Sequence, residues 1–396
     1  MMPGSANKKW ILPVIIVSQF LCTSLWFAGN AILSDLVKNF TTDPGLLANL
    51  TSAVQFGFIS GTLVFAVFTV ADRFSPSLVF FICSIIAALF NLAIIINNIS
   101  SFELLALRFC TGFFLAGIYP VGMKIAADYF QKGLGRSLGF LVGALVLGTA
   151  FPHLLKSITA QLPWKYMIIT ISILAALGGL MLFLLVPDGP FRKPGQKMQL
   201  TAFTKGFSNK NFRSAAVGYF GHMWELYTFW AFVPVILTTH KNFYATPLNV
   251  PLFSFLIIAS GSLACVASGL LSQRFAAKKI ATAALFLSCS CCLLSPFFLL
   301  NSSTLALLIF LFAWGLVVIA DSPLFSTMVA QNVPEEVKGT SLTMVNCIGF
   351  SITIISIQLL KMAASGIDSR YLYLLLSIGP VIGLIALMSN TGQQRK

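Results

Sequence analysis

The sequence predicts an all-α integral membrane protein: twelve transmembrane helices arranged as two six-helix halves. Hydrophobic residues fill 57% of its 396 positions and charged residues only 9%, whereas a soluble domain carries roughly a quarter charged. The apolar residues gather into twelve runs, each near the length of about 20 that crosses a bilayer. They lie near 10–34, 46–71, 76–97, 101–127, 137–158, 163–186, 212–238, 249–272, 279–300, 303–330, 338–362 and 370–389. The longest connection, residues 187–211, is basic and contains Pro187, Pro190 and Pro194. It reads as a linker, so the expected division is 1–186 for the first bundle, 187–211 for the linker and 212–396 for the second bundle.

Taken in order, the first run follows Lys8 and Lys9 as a signal peptide would, but it continues without a small-residue cleavage pattern. It is read as a retained helix. Gln19, Thr23, Trp26 and Asn30 recur in it at i, i+4, i+7 and i+11, one face of a continuous helix that can line water or substrate or bond a neighbouring helix. The second run ends in "VADRFSPS" and the eighth in "LSQRFAAKK", so Asp72-Arg73-Phe74 answers Gln273-Arg274-Phe275 at an offset of 201. Pro120 in the fourth run answers Pro323 in the tenth at an offset of 203. Two echoes at nearly one offset support a duplicated half.

In the fourth run Arg108 shares a helical face with Gly112, Leu115 and Tyr119, and Lys124 is one turn from Asp128. Arg108 has no acid three or four residues on; a permanent guanidinium suits a carboxylate or other oxyanion, or a fixed pair with an acid of another helix. The seventh run carries His222 and Glu225 in "GHMWELYTFW". An ionised group at mid-bilayer costs about 2.5 to 3.5 kcal/mol on insertion scales. A glutamate withdrawn from water can stay neutral and ionise when water or a cation arrives, which makes it a proton carrier. His222, one turn away, is placed to touch it. Asp321 in the tenth run, beside Pro323, is the second acid, and His153 in the fifth reads as structural. All eight cysteines fall in apolar segments, including "CSCC" at 289–292, so disulfides, a metal site and a cofactor are not expected.

The net charge of +14 is spread over short loops, so nucleic acid is not an expected partner. The basic residues concentrate in the loops shared by both termini, from Lys8 and Lys9 through Arg192, Lys193, Lys197, Lys205, Lys210 and Arg213 to Arg395 and Lys396. Both termini are therefore expected in the cytoplasm, the chain crossing an inner or plasma membrane. No HExxH motif is present, which argues against a zinc protease, and the GxSxG stretch Gly135 to Gly139 opens an apolar helical run instead of joining a strand to a helix as a serine hydrolase requires, so an enzyme is not expected. Duplicated halves with scattered buried charges suit a carrier better than a channel.

The stretch "GLLSQRFAAKK", Gly269 to Lys279, resembles the loop signature of the major facilitator superfamily: a glycine, three residues, an acid, then arginine and a basic pair. Gln273 stands in the acid's place. The first-half copy keeps Asp72 and Arg73 but has Phe68, Ser75 and Pro76 where the family has glycine, glycine and a basic residue. "RFCTG", with Arg108 and Gly112, is similar to the family's fourth-helix motif. The resemblance covers essentially the whole chain. It implies two six-helix bundles around a central cavity lined mainly by helices 1, 4, 7 and 10, and a secondary transporter that works by alternating access. In that setting Gln19, Thr23, Trp26, Asn30, Arg108 and Tyr119 become candidate substrate-binding residues. Glu225, His222 and Asp321 become candidates for proton coupling, and Asp72, Arg73, Lys124, Asp128, Arg136 and Arg274 for the gate.

No subfamily pattern fits. The fifth helix has Ala144 at the proline position of drug antiporters, and "VPDGPFR", residues 186–192, is similar to the sugar-porter signature without its glutamate and serine. Arg108 favours a small organic anion or zwitterion, a carboxylate-bearing metabolite or siderophore-like compound, moved with protons by a monomer in the lipid bilayer. The alternative is export of an organic cation, a drug or a transition metal through Glu225, Asp321 and His222.

Overall fold

The computed structural model describes residues 9–40, 45–130, 134–159, 161–192, 203–204, 206–299, 301–334 and 337–389. Much of the expected linker lies outside the described residues, as do Lys8, Lys132, Lys193, Lys197, Lys205, Arg395 and Lys396. All twelve predicted runs are helical, and no strand occurs among the described residues. Among the described residues nine of these helices are long and apolar enough to cross a membrane, and the first and last runs supply the shorter apolar helices Ile11–Thr23 and Leu372–Met388. The chain is a multi-pass membrane protein that divides into two compact units, Met1–Gly195 and Gln196–Lys396.

In the first unit, span one runs as Ile11–Thr23, breaks, and resumes as Ala28–Ala31 and Leu33–Phe40. Span two is Leu46–Val67, span three Pro76–Leu92 with a 3-10 turn at Ala93–Ile95, span five Leu134–Ile158 and span six Trp164–Leu185. Span four is broken into Ser101–Leu115 and Tyr119–Tyr129. Its start is fixed by a capping box, in which the Glu103 amide donates to Ser100 Oγ at 3.2 Å and the Ser100 amide donates to the Glu103 carboxylate at 2.7 Å. Its second segment begins with Pro120 in the first turn, where a missing N–H costs nothing.

Spans two and four touch backbone to backbone. A Cβ on Gly57 would stand 2.0 Å from the Phe109 carbonyl oxygen, and one on Gly61 2.2 Å from that of Phe113. From the other side, a Cβ on Gly112 would stand 1.9 Å from the Val54 oxygen. Small residues four apart permit such an approach, and in lipid this close packing takes the place of a hydrophobic drive.

In the second unit, span seven is a single helix, Lys210–Tyr244, with Pro234 inside it. Span eight is Val250–Leu271, span nine Ala277–Phe298 and span eleven Lys338–Ala363, while span twelve joins the 3-10 turn Leu372–Ser377 to Ile378–Met388. Span ten breaks between Thr304–Val317 and Ser322–Gln331, the latter starting with Pro323 in its first turn. The aligned prolines of the two halves thus restart a helix in the same way. Span seven holds Lys210, Arg213, His222, Glu225 and Lys241, yet most of its length is buried inside its own unit. Its partner is span twelve, where Gly221 and Gly379 oppose each other: a Cβ on either would lie 2.3 or 2.5 Å from the other's carbonyl oxygen.

Candidate functional site

In the first unit the polar centre is Arg108, fully buried in span four. One guanidinium nitrogen, Nη2, donates to the carbonyl oxygens of Leu25 at 3.0 Å and Trp26 at 2.5 Å; Nη1 donates to Asn91 Oδ1 at 3.1 Å. Asn91 in turn donates to Ser172 at 3.0 Å, so spans one, three, four and six meet at one cation. The carbonyls of Leu25 and Trp26 sit in the break of span one. A helix that stops at Thr23 leaves its last carbonyls without intrahelical donors, and a cation there meets the negative end of the helix dipole. No acid pairs with Arg108 among the described residues, and its Nε has no partner. A Cβ on Gly29 would lie 3.2 Å from that Nε.

The break corrects the expectation of one continuous face on span one. Thr23 Oγ1 bonds back to the Gln19 carbonyl at 2.7 Å, and Asn30, beyond the break, donates to Thr51 of span two at 2.8 Å. Trp26 packs on Phe58 with ring centroids 4.9 Å apart. The amides of Gln19 and Gln55 are fully buried and unpartnered among the described residues. The break at 116–118 likewise separates Tyr119, half-buried, from the segment that carries Arg108.

A second cluster closes the end of this unit. Lys124 Nζ lies 2.8 Å from Asp72 Oδ1 and 3.9 Å from Asp128 Oδ2, so the expected pairing with Asp128 is the longer of two contacts. Arg192 reaches the carbonyl oxygens of Asp72 at 3.0 Å and Phe74 at 2.7 Å and pairs with Asp188, which accepts from Ser75 at 2.7 Å. The Phe191 amide donates to the Asp128 carbonyl at 3.0 Å and the Tyr129 hydroxyl to the Pro187 carbonyl at 2.6 Å. Arg73 and Arg136 in this unit, and Arg274 in the other, are exposed. Asp188 and Arg192 were within reach of sequence reasoning, since "VPDGPFR" already stood out.

The second unit gathers its charges on span seven. Glu225, 1% exposed, accepts three hydrogen bonds at one oxygen, Oε1: from Ser288 Oγ at 2.6 Å, Trp314 Nε1 at 2.6 Å and Cys292 Sγ at 3.2 Å. His222 does not serve it. Its Nδ1 lies 2.8 Å from Asp321 Oδ1, with both side chains 1% exposed. One turn of helix separates two acids' environments: Glu225 is turned to spans nine and ten, while His222 is turned to the break of span ten. The signal for the missed donors was the spacing of Ser288 and Cys292, four apart and so on one face of span nine.

A sequence profile described as Major Facilitator Superfamily matches residues 15–357. The chain belongs to this superfamily. Solved superfamily structures share its fold at low identity. The proton:xylose symporter XylE, bound to a bromodeoxyglucose, is 12% identical with TM-score 0.77, covering 99% of this chain and 98% of its own. The human organic anion transporter MFSD10 is 16% identical with TM-score 0.74, covering 95% and 98%, and the nucleoside transporter NupG 15% with 0.72, covering 96% and 100%. No curated protein matches the sequence significantly. Membership makes the chain a transporter by family, and Gly112, four residues after Arg108, acquires a physical reason within it: it admits the backbone of span two.

Proposed function

We propose that the chain is a proton-coupled secondary carrier of a small organic anion or zwitterion, working by alternating access in an inner or plasma membrane with both termini cytoplasmic. The observation that carries this reading is a division of charge. The first unit buries the Arg108 guanidinium with no acid paired to it among the described residues, and the second buries two acids, Glu225 and Asp321. A buried cation lacking a counter-charge is costly, and a substrate carboxylate supplies one; Arg108 Nε and the unpartnered amides of Gln19 and Gln55 are donors still to be used. Glu225 is the proton carrier. A proton gained or lost there acts on an oxygen that ties span seven to spans nine and ten, so protonation is linked to helix packing. Asp72, Lys124 and Asp128, with Arg192 and Asp188, form the cytoplasmic latch of the first unit.

Export of an organic cation or a metal would use the same acids. Among the described residues no three His, Cys, Asp or Glu side chains converge as metal ligands, so an amine is the stronger form of that rival. Proteoliposomes with an imposed proton gradient, offered labelled carboxylates, amino acids, amines and divalent metals in parallel, separate the readings. The expected result is accumulation of a carboxylate or amino acid that collapses with a protonophore. Accumulation of amines or metals alone overturns the substrate class.

A further inference from the structure

Away from the buried charges, the second unit has a groove between the start of span nine and the end of span twelve. This open groove has a volume of about 580 Å³, and its lining includes Phe286, Leu384, Leu387 and Met388 together with Lys278 and Lys279. Phe286 and Met388 are 59% and 65% exposed, an apolar surface turned outward as lipid-facing surfaces are. Arg274, also exposed, lies in the turn just before span nine, and the first turn of that helix contains no acid.

The two halves differ at this corner. At the repeat offset, Ser77 stands in the first half where the second has Lys278. Ser77 is buried and donates to the Val186 carbonyl at 2.6 Å, so the chain following span six covers that corner. In the second half the corresponding corner combines cations with an apolar channel.

We propose that this groove binds an anionic phospholipid, its phosphate held at Lys278 and Lys279 with Arg274 close by, and an acyl chain laid along Phe286, Leu384, Leu387 and Met388. Charge complementarity selects this occupant. A zwitterionic lipid gains nothing net from the cations, and the chain's own residues 390–396 carry Arg395 and Lys396 and no acidic side chain. A basic side chain near an anionic leaflet contributes about fivefold in binding, so two of them amount to more than about tenfold.

The test uses the full-length protein in nanodiscs of phosphatidylglycerol or of phosphatidylcholine, reading thermal unfolding and, after release, lipid retained by native mass spectrometry. Wild type should retain phosphatidylglycerol selectively and unfold at higher temperature in it. The Lys278→Gln/Lys279→Gln variant should lose retention by more than about tenfold while unfolding in phosphatidylcholine as wild type does. Should the double variant fold poorly, Lys279→Gln alone should show roughly a fivefold loss. Equal retention of the two lipids by wild type overturns the proposal, as does undiminished phosphatidylglycerol retention by a folded variant. Stabilisation by soluble glycerol phosphate equal to that by the lipid would also overturn it, marking a plain anion site.

Discussion

At the scale of single residues, the two buried charge centres are held in different ways. Arg108 is fixed by a planar fork that reaches two carbonyls of the span-one break and Asn91. Lysine keeps the charge but has no fork, and hydrogen bonds to charged groups contribute about 1.5 to 3 kcal/mol each. Arg108→Lys should therefore lower the thermal stability of the purified protein and weaken substrate binding together; unchanged values for both would remove Arg108 from the account. Asp321 and His222 form a close buried pair, and pairs in contact show couplings of about 0.5 to 3 kcal/mol. In unfolding measurements the double variant Asp321→Asn/His222→Gln should cost less than the sum of the single ones; strict additivity would mean that the contact contributes nothing. The charged residues themselves were legible in the sequence, because a charge inside an apolar run is conspicuous. Their partners were not. Periodicity tells which residues share a face of one helix, but it does not say which face of another helix is opposite, so His222 was expected to serve Glu225 and Trp314 passed as one more apolar residue.

At the scale of elements, the twelve spans and the aligned prolines of spans four and ten were readable from hydropathy and from a repeat. The breaks were only half readable. Pro120 and Pro323 announce theirs, whereas the break after Thr23 has no proline; it is accompanied by a cation supplied from span four, and a long-range contact of that kind leaves no local mark. The glycine crossings were also missed, although Gly57 and Gly61, like Gly379 and Gly383, stand four apart. Where a Cβ would meet backbone at 1.9 Å, the helices must separate to admit it. Overpacking typically costs about 1 to 3 kcal/mol. Gly112→Ala should lower the unfolding temperature clearly, while Gly339→Ala, whose Cβ would meet nothing within 4 Å, should leave it unchanged. Equal tolerance of the two substitutions would contradict the close crossing of spans two and four.

At the scale of the whole molecule, superfamily membership and the fold agree with the reading from composition, repeat and loop signature, and each unit keeps a charge centre of its own. Sequence could not assign the substrate, because the fold is shared by carriers of unlike chemistry and function resides in the particular side chains grafted on it. The central claim is that Glu225 carries the proton. Glu225→Gln keeps the shape and an acceptor oxygen for Ser288, Cys292 and Trp314 but has no proton to release. The direct test is transport by this variant in proteoliposomes after a pH jump, beside a binding assay and substrate exchange on the same preparation. The account predicts that substrate binding and exchange persist while accumulation driven by the proton gradient is lost. Gradient-driven accumulation by Glu225→Gln at the wild-type rate would contradict it.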